Sequence, residues 1–213
     1  MNIRSAVRGA ARSFARTISP VLNKIGFMPV LCSIETYIAF LAGRGSGSGW
    51  DTVNEVKTIA SFVRRSPATI FDIGANNGAW SQQLAQHLGH PDDAFFLVEC
   101  APYCFEGIER RLSSIPNPTV VKTAVSDKDG IATLNLPTRG SGLASLHERG
   151  DSSIVRYDYE TLKVPTQTLD TLAASFNIDR ISLIKMDIEG HELFALKGAD
   201  MLLRSGSIDV ITF

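Results

Sequence analysis

From Thr69 onward the chain is punctuated by short, mostly apolar runs: Thr69–Ile73, Ala94–Val98, Thr119–Val125, Ile181–Met186 and Ile208–Phe213. Runs of this length without strict polar alternation predict strands buried on both faces, as in a parallel sheet. Between them lie stretches with helical spacing, namely Trp80 to Leu88, Asp170 to Phe176 and Leu193 to Leu203. Strand and helix alternate, which predicts an α/β chain with an open, largely parallel sheet and helices on both faces. One interruption stands out. Shorter alternating segments at Ile131–Leu136 and Leu162–Val164 flank a polar, glycine-bearing loop that includes His147, so an inserted β-rich excursion is expected there.

Upstream the pattern changes. Arg4, Arg8, Arg12 and Arg16 recur every fourth residue opposite an apolar face of Ile3, Val7, Phe14 and Ile18. This predicts a basic amphipathic helix, with weak contact to an anionic membrane surface as its expected use. A second helix is expected over Met28–Leu41, then a flexible Gly43–Gly49 stretch, then a helix from Asp51 to Arg65. Residues 1–50 are therefore read as an N-terminal segment, and 51–213 as the main domain. The final run, Ile208–Phe213, ends at the terminus without a partner strand. The expectation is a domain whose C-terminal strands are missing, with an edge open to self-association.

With 213 residues, 20% of them charged, and a formal net charge of −1, the chain is not built as a general nucleic-acid binder. Cys32, Cys100 and Cys104 form no disulfide framework or zinc spacing, which points to reduced thiols and a cytoplasmic setting, peripheral to the membrane if the basic helix binds lipid.

Chemistry concentrates in the turn after the first strand: Asp72, Gly74, Ala75, Asn76, Asn77 and Gly78. A strand, a glycine-bracketed turn and a helix N-terminus form the unit that presents backbone N–H groups to a ligand. A dinucleotide fingerprint needs glycine where Asn76 stands, and a Walker loop needs a Gly-Lys pair. Neither fits, which disfavours a nicotinamide-dependent oxidoreductase. A cofactor without a pyrophosphate, S-adenosylmethionine, suits the loop. Glu99 ends the second strand beside it, where a carboxylate can hold ribose hydroxyls. The turn Ser126-Asp127, which follows the third strand, is placed near the adenine.

These motifs, together with Thr168-Leu169-Asp170 and Ile184-Lys185-Met186-Asp187-Ile188-Glu189-Gly190-His191-Glu192, resemble FkbM-type methyltransferases from about Phe62 to Phe213. The resemblance implies a Rossmann-like class I methyltransferase sheet, S-adenosylmethionine as cofactor, and O-methylation of a hydroxyl on a sugar, glycan or polyketide. The alternative is a non-catalytic module of the same fold that binds cofactor or partner without turnover.

Methyl transfer to a hydroxyl needs in-line alignment and an acceptor for its proton. His191 and Asp187, both just after the fourth strand, are the candidates for that base. The ligand types of Asp187, Glu189 and His191 are compatible with a metal, but their spacing demands none, and a metal-free site is expected. Lys185 is expected to pair with Asp187 or Glu189.

Overall fold

The computed structural model describes residues 52–136, 146 and 160–213. The arginine stripe, the second helix, the Gly43–Gly49 stretch, Cys32 and His147 lie outside them.

Residues Val53–Phe213 form one compact unit. Its centre is a five-stranded sheet of β1 (Thr69–Ile73), β2 (Ala94–Val98), β3 (Pro118–Val121), β7 (Leu183–Met186) and β8 (Ile211–Thr212). The spatial order is β3-β2-β1-β7-β8, and every neighbouring pair is parallel. Alternate side chains of β1 and β2 serve opposite faces, as the period of a strand requires. Phe71, Ile73, Phe96 and Val98 face a core completed by α4 (Leu169–Ser175), α5 (Glu192–Lys197) and α6 (Asp200–Arg204). Ile70, Phe95 and Leu97 face the other core, closed by α1 (Thr52–Ala60), α2 (Ala79–Leu88) and α3 (Phe105–Glu109). Phe71 and Phe96 stack with ring centroids 4.7 Å apart. Each fully buried side chain of this size contributes about 1.5–3 kcal/mol relative to its exposed state. The sheet with helices on both faces is the Rossmann-like α/β architecture expected from the alternation of elements.

The β-rich excursion is a second, three-stranded sheet in the order β4-β6-β5, with β4 (Ala124–Val125) parallel to β6 (Glu160–Gln167) and β5 (Gly130–Leu136) antiparallel to it.

Several elements differ from their sequence-based bounds, four of them with a visible cause. The run Thr119–Val125 divides: β3 ends at Val121 and β4 joins the second sheet. Thr123 makes the transfer, with its N–H on Val121 O at 3.1 Å and its hydroxyl donating to Pro165 O at 3.0 Å. The expected helix Leu193–Leu203 is two short helices that part at Gly198-Ala199. Gly198 O accepts from Asp170 N, while the Asp170 carboxylate accepts from Met201 N and Leu202 N and starts α6. α1 stops at Ala60, where Ser61, Phe62 and Val63 turn to three-residue hydrogen bonds and the Ser61 hydroxyl donates to Thr58 O. β8 is shorter than Ile208–Phe213, because Asp209 turns aside to meet Arg65 and Arg180 and only Ile208 bridges to Ile181.

Candidate functional site

β1 leads to β2 on one side, whereas β7 lies on the other, so the sheet changes direction at the β1–β7 boundary. Crevices at the carboxyl ends of strands at such a point are where ligands bind in open α/β sheets. A cleft open to solvent lies there. Its walls come from the ends of β1, β2 and β7 and from the second sheet.

The loop after β1 is held by main chain. Gly74 N and Ala75 N both donate to Val98 O, at 2.9 and 3.1 Å, and Gly78 N donates to Ala75 O at 2.8 Å. Asn76 adopts φ 48°, Gly74 φ 77° and Gly78 φ 78°. At Gly74 a side chain is also excluded by contact, since a Cβ would lie 2.1 Å from Asp187 O. The loops after β1 and β7 therefore touch backbone to backbone. Asn77 accepts from Ala79 N through Oδ1 at 3.0 Å and secures the first turn of α2.

Glu99 binds this loop to its own. Its Oε2 accepts from Asn76 N at 2.8 Å, and its Oε1 accepts from Cys100 N at 2.8 Å and Ala101 N at 2.7 Å. Burial raises its pKa from the ordinary value, opposed by these three N–H groups and reinforced by the Asp72 charge. Beyond Glu99 the wall continues through Cys100, Tyr103 and Cys104. Burial, followed by the nearby Glu99 charge, pushes both thiols up to about 12, so they stay protonated. Sequence reasoning missed these three residues as cleft wall. Their position directly after the acid that ends β2 was the available signal.

Asp72 is placed differently from a cleft-facing acid. It is fully buried, and its carboxylate accepts from Ser81 Oγ at 2.7 Å and pairs with Lys185 Nζ at 3.2 Å. Asp72 and Lys185 sit directly across from each other in the β1–β7 ladder. Lys185 Nζ also donates to Gly74 O at 3.0 Å and lies 3.7 Å from Asp187 Oδ2. Burial alone would lower the Lys185 pKa, but Asp72 and then Asp187 hold it above the ordinary value. Its main partner is thus Asp72, and Asp187 comes second.

On the β7 side, Asp187 is 70% exposed at the mouth of the cleft. Glu189 and Gly190 turn the chain with φ 54° and 94°. Glu192 Oε1 accepts from Ile188 N and Gly190 N, which fixes that turn. His191 is buried at the head of α5, stacked on Phe194 at 4.8 Å, with its Nε2 3.0 Å from Ser126 Oγ.

The structure thus brings Gly74, Asn76, Glu99, Asp187 and His191 together around the cleft. Ala75, Asn77 and Gly78 shape the loop beside it, and Ser126-Asp127 lies behind His191. Among the described residues no group of three His, Cys, Asp or Glu is set to hold a metal ion. Among them, too, no helix is long and apolar enough to cross a membrane.

The methyltransferase FkbM domain model matches residues 72–213. Curated proteins give no match. Among solved structures, methyltransferase FkbM from Methylobacillus flagellatus KT is similar at 19% identity and a TM-score of 0.43, over 65% of this chain and 30% of that one. The chain thus spans less than a third of that protein's length. The matched segment holds both walls of the cleft and two thirds of the chain, which therefore belongs to the methyltransferase FkbM domain family.

Proposed function

We propose that the cleft binds S-adenosylmethionine and that the protein methylates a hydroxyl oxygen of a sugar, glycan or polyketide-type acceptor. The observation that carries this reading is the convergence of the Gly74–Gly78 loop, Glu99 and the Asp187–His191 turn at the point where the sheet changes direction.

The residues present fit the cofactor. Glu99 is a carboxylate in the cleft wall, the chemistry a ribose diol needs, and its oxygens already face N–H donors in a fixed geometry. Ala124, Val125 and Leu134 give an apolar surface for a purine on the second sheet's side. The bound cofactor supplies an electrophilic methyl group on a sulfonium.

The chain's own task is alignment and proton handling. Asp187 and His191 stand on the wall that adjoins the loop, where an acceptor hydroxyl has to approach. One of them takes its proton as the new C–O bond forms. Such a base contributes about 10²–10⁴-fold, and alignment as much as about 7–11 kcal/mol. Burial places His191 out of competition with bulk water, whereas Asp187 is wet.

Calorimetric titration with S-adenosylhomocysteine tests the first part, with NADH as the control. Transfer of label from methyl-tritiated S-adenosylmethionine to a panel of neutral hexosides and macrolactone alcohols tests the second. His191→Ala should lower turnover at unchanged cofactor affinity. Full activity in that variant moves the proton to Asp187, and cofactor binding without any transfer leaves a binding module.

A further inference from the structure

We propose that the two hydroxyls of the cofactor ribose are read by different residues, one by Glu99 and the other by the side-chain amide of Asn76, which Cys104 positions. The inference rests on the reading of the cleft as an S-adenosylmethionine site and assigns contacts within it. It follows from how much of the Glu99 carboxylate is already taken. A carboxylate offers about four lone-pair sites, two on each oxygen. Glu99 Oε1 accepts from Cys100 N at 2.8 Å and from Ala101 N at 2.7 Å, which fills it. Oε2 accepts from Asn76 N at 2.8 Å, and among the described residues one place on it is left. A ribose diol brings two hydroxyls. One of them can donate to Oε2, and the other needs a second partner.

Asn76 lines the same stretch of cleft wall. Its Oδ1 accepts from the Cys104 thiol at 3.5 Å. Cys104 is buried, and burial followed by the Glu99 charge keeps its proton in place, so the sulfur is the donor and the amide oxygen the acceptor. That contact orients the carboxamide. The oxygen is turned to Cys104, and Nδ2 with its two N–H donors is the end left over. Among the described residues Nδ2 has no partner, and Asn76 is exposed. The ribose hydroxyl that Glu99 cannot take offers Nδ2 an oxygen to bond.

The backbone keeps the two readers together. The N–H of Asn76 is fixed on Oε2, the oxygen with the open place, so its amide is one side chain away from it. Asn76 also adopts φ 48°, a left-handed conformation open to Asn and Asp and without cost to Gly. Gly or Asp can therefore replace it while the loop keeps its course and its N–H on Glu99.

The experiment is calorimetric titration of the full chain with S-adenosylhomocysteine and with its 2′-deoxy and 3′-deoxy analogues. In the wild type, removal of either hydroxyl should weaken binding by about two- to tenfold. Asn76→Gly should weaken binding of the parent compound by a similar factor. It should then be indifferent to loss of one hydroxyl and remain sensitive to loss of the other. Asn76→Asp, which exchanges both donors for an acceptor, should show the same selectivity with a larger loss. Cys104→Ala should give a smaller loss that disappears in the Asn76→Gly background. Wild-type affinity in Asn76→Gly would mean that Asn76 serves the turn alone, and equal sensitivity of that variant to both deoxy changes would mean that Glu99 reads the whole diol. Either result overturns the inference, as does a Cys104→Ala loss that adds to that of Asn76→Gly. These results leave the cofactor reading standing, whereas a wild type that binds no S-adenosylhomocysteine overturns that reading and the inference with it.

Discussion

The two walls of the cleft are held by different means. On the β1–β2 side the chain is held through its backbone N–H groups: Gly74 N and Ala75 N on Val98 O, with Asn76 N, Cys100 N and Ala101 N gathered on the Glu99 carboxylate. On the β7 side the contacts are made by side chains, Lys185 to Asp72 and Gly74 O, Glu192 to the turn before α5, Ser126 to His191. A wall of backbone groups tolerates sequence change and suits a ligand that never varies, such as a cofactor. A wall of side chains can be retuned one residue at a time, which suits the reacting edge and the acceptor. The two meet at Lys185 and at the backbone contact between Gly74 and Asp187.

Breaking that junction should have the largest effect. Lys185→Met removes the cation paired with the buried Asp72 carboxylate and leaves it, among the described residues, with Ser81 as its one hydrogen-bond donor. Loss of one partner from a buried pair costs about 3–5 kcal/mol. Urea denaturation near neutral pH measures it, and a loss below about 1 kcal/mol would show that the pair is dispensable.

Two positive-φ glycines, one from each wall, sharpen the comparison. Gly190 has φ 94°, and a methyl group added there would meet nothing within 4 Å, so Gly190→Ala should cost backbone strain alone, about 1–2 kcal/mol. Gly74→Ala carries similar strain and must also push Asp187 O away from 2.1 Å, so it should cost clearly more. Equal losses in the two denaturation midpoints would mean that the walls are not in rigid contact.

Next in size is Glu99. Glu99→Ala removes the acceptor for three loop N–H groups as well as the carboxylate offered to a ribose. Affinity for S-adenosylhomocysteine should fall by about 1–3 kcal/mol. Unchanged calorimetric affinity in the folded variant would remove Glu99 from the site.

The backbone-held wall was legible in the sequence because its signals are local. Apolar runs marked β1 and β2, the glycine spacing marked the loop, and Glu99 stood where the second run ended. The β7 wall was legible as a set of residues, but the partner expected for Lys185 (Asp187 or Glu189) is not its main one. That Lys185 meets Asp72 follows from β1 lying beside β7, which is a fact of topology and not of spacing. The division of the third strand depends on the Thr123 hydroxyl reaching Pro165 O on β6. The broken helix depends on Asp170, whose N–H reaches Gly198 O and whose carboxylate accepts from Met201 N and Leu202 N. Each of these is a long-range contact made by a residue whose local propensity is compatible with the simpler element.

The smallest effect, and the last, concerns the thiols of the backbone-held wall and emerges only in alkali. Burial first, and then the Glu99 charge, push Cys100 from an ordinary 9.0 up to about 12. The folded state therefore keeps this proton to a higher pH than the unfolded chain does. Linkage gives the sign: above pH 9 the unfolded ensemble is the one that loses protons, so stability falls from pH 9 toward 12. Cys104 is likewise pushed up to about 12, and Tyr103 is raised to the same value from 10.0, so both add to the decline in the same direction. Lys185 adds to it as well, because its raised pKa contributes stability that is lost as the lysine deprotonates. The comparison that isolates Cys100 is therefore between wild type and Cys100→Ala, in which the other groups cancel. Urea midpoints of the two should run parallel from pH 7 to 9 and converge or cross above it, with the wild type declining more steeply. Alkylation offers a second view, since a thiol reacts through its thiolate. Iodoacetamide at pH 8 should modify Cys100 far more slowly in the folded chain than in urea. Rapid alkylation of the folded protein, or parallel midpoints through pH 11, would mean that the main-chain wall does not hold this thiol protonated and is looser than its hydrogen bonds imply.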